Sequence, residues 1–589
     1  MKRWLLKRTK IDTAAMARDL GIRRATAAVL ANRELSSRQA ARSFLYGGTA
    51  ALGNPLGMKD FSQAVSLLAE AIRAGKRIAV YGDYDVDGVM STSILYQTIL
   101  RCGGNAVFYL PHRQKEGYGL NLRAVEQLTA EGIEVLFTCD NGIAALQEIA
   151  LAKEKGMTVV VLDHHEPGFR GEGEERRDIL PAADAIIDPK QRACPYPFKQ
   201  MCAGGLSYYF AHHLLQIFEI TDEGLERQLL TFAGIATVCD IVDLLGENRA
   251  LVQMGLAEIR KTENIGLRVL IEEAGLSDKV ISEYHIGFII GPCINATGRL
   301  ESGRLELFCT QDEKEAREKA RHLVMLNAER KQLTEEAAER ADIALQEDGA
   351  LQDRVLVLYD AEIHESIAGI VAGRIKDKYY RPTILITDSE DGAKGSGRSI
   401  EGYHLFEALF ANRDLFTRFG GHAMAAGLSL PVENIPVLRR RLNEGCTLTE
   451  EQMIPILRLE DALSFAEIDL GLAKELQTLA PFGKGNPAPL FASKGIHADR
   501  VDLIGKNKDI LRLTLSEPEN GIRLSAISFD GYEPLREMLK ALYPAEDCDK
   551  IINSGLLPQL LDIVYSIEIN SYRGRSNVQL ILKDFRFAK

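Results

Sequence analysis

The apolar run Arg77-Ile-Ala-Val-Tyr81 leads straight into Gly82-Asp83-Tyr84-Asp85-Val86-Asp87-Gly88, and this junction constrains the chain more than any other stretch. The run reads as a buried strand closed by a glycine. Three carboxylates at alternate positions directly behind a strand cannot all stay ionised without a compensating cation. Hard oxygen donors of this kind suit Mg²⁺ or Mn²⁺. For this segment alone, the competing reading is a solvated acidic turn. An EF-hand loop is excluded, because position 12 counted from Asp83 is Ile94 and not the glutamate such a loop requires.

The same arrangement recurs downstream. Val135-Leu-Phe-Thr138 is followed by Cys139-Asp140-Asn141-Gly142, and Thr158-Val-Val-Val-Leu162 by Asp163-His164-His165. Ala185-Ile-Ile187 is a further short strand, and Ala236-Thr-Val-Cys-Asp240 places another acid behind a helical stretch. From about Lys76 to Leu245, strands and helices alternate, which predicts a parallel sheet covered on both faces. Open sheets of this kind bind ligands beyond the carboxyl ends of their strands. Acids and imidazoles converging there from several strands form a binuclear metal site more naturally than separate solvated loops.

The remaining chain adds other patterns. Thr310 to Glu347 is polar and free of Pro and, up to Glu347, of Gly, which predicts one long helix acting as a strut, with Thr310 and Glu313 in the form of a capping box. A second α/β stretch runs from about Asp353 to Glu444, with two glycine-rich loops, Lys394-Gly-Ser-Gly-Arg398-Ser399 and Phe419-Gly-Gly-His422. Beyond about Glu460, period-two alternation in Ile510–Leu515, Arg523–Ile527, Leu561–Ile569 and Val578–Leu582 predicts a small β-barrel or sandwich. With 589 residues, three or four domains are expected. The net charge of −12 argues weakly against a non-specific nucleic-acid coat, but a local groove decides phosphate affinity. Nine scattered cysteines without a CxxC pair exclude a disulfide framework and a zinc knuckle. No apolar run reaches the roughly 18 residues of a membrane span, and no signal-like segment follows the basic N-terminus, so a cytoplasmic location is expected.

Asp-x-Asp-x-Asp-Gly, Asp-Asn-Gly, Asp-His-His and Thr-Val-x-Asp, in this order and spacing, resemble the four motifs of the DHH phosphoesterases. Lys394-Gly-Ser-Gly-Arg398-Ser399 and Gly420-Gly-His422-Ala-Met-Ala-Ala-Gly427 resemble that family's DHHA1 partner domain. Leu110-Pro-His-Arg113 with Glu116-Gly-Tyr-Gly119, Asn295-Ala-Thr-Gly-Arg299, Leu326-Asn327 with Glu329-Arg330, and Pro481-Phe-Gly-Lys-Gly-Asn-Pro487 resemble its branch of bacterial single-strand-specific 5′→3′ DNA exonucleases. The likeness runs from Trp4 to the C-terminal β-domain. It implies an α/β fold with a parallel-sheet DHH domain, a long connecting helix, a second α/β DHHA1 domain and a C-terminal β-barrel like an OB-fold. The expected division is an N-terminal segment 1–50, then 51–309, 310–347, 348–450 and 451–589.

The resemblance also implies roles. Two divalent ions, Mn²⁺ or Mg²⁺, would be held by Asp85, Asp87, Asp140 as the bridge, His164 and Asp240, with Asp83 as ligand or support. Asp163 would orient an imidazole, and His165 would face the scissile phosphate as binder or proton donor. Arg299 would contact that phosphate or its neighbour. Arg113, Ser396 and Arg398 resemble the pocket for a 5′ end, where glycine-loop amides could form an anion nest, and Asn295 counts with them as substrate-binding. His422 would support this groove or brace its glycine turn. Tyr572, Arg573 and Arg575 would help the β-domain grip single strands by stacking and charge. The implied reaction is two-metal hydrolysis of single-stranded DNA from its 5′ end in repair and recombination, by a monomer working with single-strand-binding protein and a helicase. Cys293 departs from an Arg common in the family, and Ser366-Ile367 from Gly-Val.

Three other readings compete. A haloacid-dehalogenase-type phosphatase would use Asp83-x-Asp85 or Asp85-x-Asp87 as its nucleophile motif, but its later Lys and paired Asp residues are missing. DHH relatives that hydrolyse nanoRNA or cyclic dinucleotides generally lack the strut helix and the β-domain. Non-catalytic replication relatives have lost metal ligands, whereas every ligand position here is filled.

Overall fold

A computed structural model of the chain describes residues 2–112, 116–171, 176–300, 305–347, 349–389, 392–505, 509–572 and 574–588. The chain forms two compact units, Thr49–Ile454 and the pair Met1–Gly48 with Pro455–Lys589. Among the described residues, no helix is long and apolar enough to cross a membrane.

In the larger unit, β1 (Arg77–Tyr81), β2 (Asn105–Tyr109), β3 (Val135–Cys139), β4 (Thr158–Leu162) and β5 (Ala185–Ile187) form an all-parallel sheet in the order β2-β1-β3-β4-β5. The strands lack polar alternation because both faces are covered. Ile78, Val80, Phe137 and Val160 point into one core with helices α1 (Val86–Arg101), α2 (Ala203–Ile217) and α3 (Glu223–Cys239). Their neighbours Ala79, Tyr81, Leu136, Val159 and Val161 enter the core on the opposite face. Strand order reverses between β1 and β3, which opens a crevice at their carboxyl ends. Asp83 to Asp87, which leads into α1, and Asp140 follow these two strands.

After helix α4 (Gly291–Leu300) comes helix α5 (Glu313–Glu347), 35 residues and about 50 Å long. Its cap differs from the expectation. Asp312 Oδ1 accepts from the amide of Lys314 at 2.8 Å, whereas Thr310 Oγ1 donates to Glu315 Oε2. Thr310 lies three residues before Glu313, too far upstream to cap the helix.

The second sheet of this unit contains β6 (Leu356–Tyr359), β7 (Thr383–Ser389), β8 (Gly392–Arg398), β9 (Arg418–Gly421) and β10 (Ala425–Leu430), in the order β9-β10-β8-β7-β6. Only β6 and β7 are parallel. Helix α6 (Glu365–Tyr379) packs on β7 and β8. The two glycine-rich segments expected to be loops are therefore strands, which corrects the sequence reading. Gly395 and Gly397 serve close packing: a Cβ would lie 2.8 Å from Leu428 Cδ1 at the first and 2.6 Å from Leu405 Cδ2 at the second. The central strand β8 is paired on both sides, so its amides do not form the expected anion nest.

In the smaller unit, β11 (Phe491–Ile504), β12 (Ile510–Ser516), β13 (Arg523–Ser528), β14 (Leu561–Tyr572) and β15 (Arg575–Phe587) are arranged β11-β12-β13-β15-β14. β14 also pairs with β11, Phe491 opposite Tyr565, which closes the sheet towards a barrel. Bulges along β11 supply the bend. Residues Arg3–Leu6 pair in parallel with Ile456–Leu459, so the start of the chain folds into this unit.

Two glycines of the larger unit provide a test of this packing. A Cβ at Gly88, in the first turn of α1, would meet the Asp83 carbonyl oxygen at 2.4 Å, while Gly373 in α6 faces open space. Gly88→Ala is expected to destabilise the protein by about 1–3 kcal/mol. Gly373→Ala is expected to stabilise it by about 1 kcal/mol. Denaturant melts of both variants measure the two effects.

Candidate metal centre

The crevice gathers its side chains from five elements. Asp85 caps α1, accepting from the Gly88 amide at 3.0 Å. Asp87, in the first helical turn, is buried and accepts from the amides of Ala203 at 2.8 Å and Gly204 at 2.7 Å. These are the first residues of α2, whose unpaired N–H groups favour an anion. Asp140 follows β3 in a left-handed conformation, φ 62°, that few residues other than glycine adopt. Asp240 caps the C-terminus of α3, and the β-branched Ile241 behind it also has positive φ, 57°. Strain of this kind persists only where its surroundings hold it.

His164 lies among these acids. Its Nε2 is 3.2 Å from Asp140 Oδ1 and 3.6 Å from Asp87 Oδ2, and its Nδ1 is 3.7 Å from Asp240 Oδ2. Donor atoms of Asp87, His164 and Asp240 lie within 4.8 Å of one another, as do those of Asp83, Asp85 and Asp140, and those of Asp140, His164 and His165. All six acid and imidazole positions proposed as ligands from the sequence thus come together, and His165 joins one of the groups.

Asp163 is set apart by its bonding. Its Oδ2 accepts from the Ile143 amide at 2.9 Å and its Oδ1 from the His164 amide and His165 Nδ1, both at 2.7 Å. Against the effect of burial, these partners hold its carboxyl below the usual range.

The electrostatics of the cluster call for added positive charge. Burial, then repulsion from Asp85, raises Asp83 and Asp87 to about 7. Burial and Asp87 raise Asp240 to about 8 and push Asp140 well up. Burial and the neighbouring His165 lower His164 to about 3, so its imidazole is neutral and keeps a lone pair to donate. His165 is opposite: although burial would lower it, the Asp163 hydrogen bond and charge raise it to about 9. Asp83 Oδ1, His164 Nδ1 and Asp240 Oδ2 are buried without a hydrogen-bond partner among the described residues. Oxygen and imidazole donors left open in a desolvated acidic site fit divalent ions of the Mg²⁺ or Mn²⁺ kind.

Tyr118, quoted in the sequence only within Glu116-Gly-Tyr-Gly119, is a further member of the site. Its hydroxyl donates to the Asp140 carbonyl at 3.0 Å and lies 3.1 Å from His165 Nε2. A lone tyrosine in a glycine-rich loop carries no pattern that could have marked it. Tyr84, between two of the acids, packs edge-on against Tyr118 and lines a cavity of about 410 Å³. Glu365, Ser366, Lys394, Ser396 and Arg418 line the same cavity. Lys394 is closed by Glu365 at 2.8 Å.

The other expected residues divide. Arg398 lies over Gly369 of α6, donates to the Gly397 carbonyl at 2.8 Å, and has no acidic partner among the described residues. Its partial burial lowers its pKa. Asn295 is half-buried on α4. His422 is exposed in the β9–β10 turn, where its amide donates to Ala425, so it braces the turn through its backbone. Arg113 and Arg573 lie outside the described residues, as do the side chains of Arg299 and Tyr572. Arg575 is exposed at the start of β15.

Such a centre belongs to enzymes that hydrolyse phosphate esters with divalent ions, and the surrounding fold is that of the DHH phosphoesterases. Residues 77–237 match the DHH family N-terminal domain, 352–447 the DHHA1 domain, and 459–584 the RecJ OB domain. The single-stranded-DNA-specific exonuclease RecJ of Bacillus subtilis is 35% identical over 99% of this chain and 70% of its own length. That of Haemophilus influenzae is 32% identical over 90% and 91%. The crystal structure of RecJ in complex with Mn²⁺ from Thermus thermophilus superposes with a TM-score of 0.81 at 26% identity, covering 100% of this chain and 80% of the other. The chain belongs to the RecJ family.

The raised carboxylates set a pH dependence. Between about pH 4, the ordinary carboxylate value, and about 8, the metal-free folded state holds more protons than the unfolded chain. Metal-free stability is therefore expected to fall as pH rises through this window. Mn²⁺ pairs with the ionised acids, so the rise in melting temperature it confers is expected to be larger at pH 8 than at pH 6. Thermal melts with chelator or Mn²⁺ at both pH values test this, and an equal Mn²⁺ effect would contradict the assignment of these acids.

Proposed function

We propose that this protein is a metal-dependent exonuclease that removes nucleotides from the 5′ end of single-stranded DNA. The observation that carries the reading is the continuity between the acidic centre and the second sheet: Tyr84 stands between two of the acids and lines the same cavity as Ser396 and Lys394. A strand whose terminus lies along β8 then has a phosphodiester within reach of the acids. The relatives named above, single-stranded-DNA-specific exonucleases, support the choice of substrate.

Asp85, Asp87, Asp140, His164 and Asp240, with Asp83 beside them, would hold two divalent ions, Mn²⁺ or Mg²⁺, which when bound activate a water and offset charge growing on the phosphoryl oxygens. The protein supplies orientation and protons. The α2 amides fix the Asp87 carboxylate, and Tyr118 fixes the Asp140 turn. Asp163 takes the Nδ1 proton of His165 as a hydrogen bond, which leaves Nε2 as a charged donor towards a phosphate oxygen or the departing oxygen. Arg398 and Ser396 would hold the terminal phosphate, with Arg113 and Arg299 as further phosphate contacts, and the closing β-sheet of the smaller unit would bind single strands by stacking and charge. This reading places the enzyme in cytoplasmic DNA repair and recombination, beside single-strand-binding protein and a helicase.

Asp140→Ala is expected to abolish Mn²⁺-dependent release of label from 5′-labelled single-stranded DNA while the fold survives. His165→Gln is expected to lower kcat by about 10²–10⁴-fold. Product ladders from 5′- and 3′-labelled single and double strands, with metal or chelator, check both. Activity in chelator would exclude the mechanism, and release that begins at the 3′ label would exclude the polarity.

A further inference from the structure

The long helix α5 carries four arginines, and three are closed by carboxylates. Arg317 binds Glu272, Glu273 and Glu313 at 3.0–3.1 Å, Arg321 binds Glu273 at 3.2 Å, and Arg340 binds Asp360 at 3.2 Å. Arg330 differs. Its Nε and Nη2 both donate to one neutral acceptor, Asn327 Oδ1, at 3.2 and 2.9 Å, and no carboxylate faces it among the described residues. Asn327 is buried and held in turn, its Nδ2 donating to Cys293 Sγ of α4 at 3.3 Å.

The position is as telling as the bonding. Helices α4, α5 and α6 pack against one another in pairs. Helix α4 bears Asn295, and the first turn of α6 contributes Glu365, Ser366 and Ala368 to the cavity beside the acidic centre. Arg330 lies near Cys293 of α4 and Arg374 of α6. Burial lowers its pKa, and the nearby Arg374 adds repulsion. A half-buried cation whose only hydrogen-bond partner among the described residues is a neutral amide lacks charge compensation from them, which an anion would supply. The Asn327 contact fixes the guanidinium plane and leaves Nη1 without a protein acceptor among the described residues, a geometry suited to a phosphate.

We propose that Arg330, oriented by Asn327, binds a backbone phosphate of the single strand and is a substrate-binding residue additional to Ser396 and Arg398. The proposal rests on the nuclease reading above.

Salt dependence of kcat/KM on single-stranded DNA, measured with the full chain and Mn²⁺, tests it. Arg330→Met is expected to lower kcat/KM roughly tenfold, mostly through KM. It should also reduce the slope of log kcat/KM against log salt by about 0.7, the loss of one single-strand phosphate contact. Arg330→Lys keeps the charge but not the fork, so its slope should match the wild type while its KM rises. Arg321→Met, which removes a carboxylate-paired arginine of the same helix, should leave the slope unchanged. An unaltered slope in a folded Arg330→Met protein overturns the assignment, and so does a wild-type KM in Arg330→Lys should the Met variant fail to fold. Wild-type protein inactive on single strands overturns the nuclease reading, and the assignment with it.

Discussion

Repulsion among carboxylates in a desolvated crevice is the constraint to which the larger unit is built. Asp83, Asp87, Asp140 and Asp240 come from a loop, a helix start, a strand end and a helix end, and each is raised by burial and then by nearby carboxylates, Asp85 acting on all four. Removing one charge from water is costly, and gathering several is tolerated only where cations compensate. The surroundings therefore supply partial compensation: the α2 amides on Asp87, the Gly88 amide on Asp85, and a neutral imidazole among the rest. Divalent ions complete the balance, and the open, unpartnered oxygens are what they would take up.

The histidine pair shows how finely the environment divides the work. Adjacent in sequence and 4.4 Å apart by ring centroid, His164 and His165 are driven in opposite directions. His164 is buried, its Nε2 hydrogen-bonded to Asp140 Oδ1 at 3.2 Å, and desolvation keeps it neutral. His165 is half-exposed and hydrogen-bonded to Asp163, an acid held ionised chiefly by that hydrogen bond and the charge of His165, and less by the Ile143 amide. One ring is thus fitted to donate a lone pair and the other a proton. Tyr118 spans both functions by holding the Asp140 carbonyl and approaching His165.

Some of this was legible in the sequence. The strands β1, β3, β4 and β5 stand out because both faces of the sheet are buried, and continuous apolar runs are what double coverage demands. The acids behind them followed from strand polarity. β2 was not singled out, although Ala106 to Leu110 is an apolar run like the others. The glycine segments were misread because glycine serves equally a turn and a close approach, and only the facing Leu428 and Leu405 tell which applies. Thr310 has the right chemistry for a cap but stands too early in the chain, and Asp312, directly before Glu313, takes the role.

Local composition alone determined that acids and imidazoles would sit at strand ends and demand metal, because side-chain chemistry and strand direction are properties of short segments. Tertiary structure alone decided which of those groups share a centre, which histidine is neutral, that the first residues pair with Ile456–Leu459, and that Arg330 meets no acid among the described residues while its helix neighbours do. These depend on distance and burial between segments far apart in the chain. A pKa, a missing partner or a close approach exists only once the chain has folded around it.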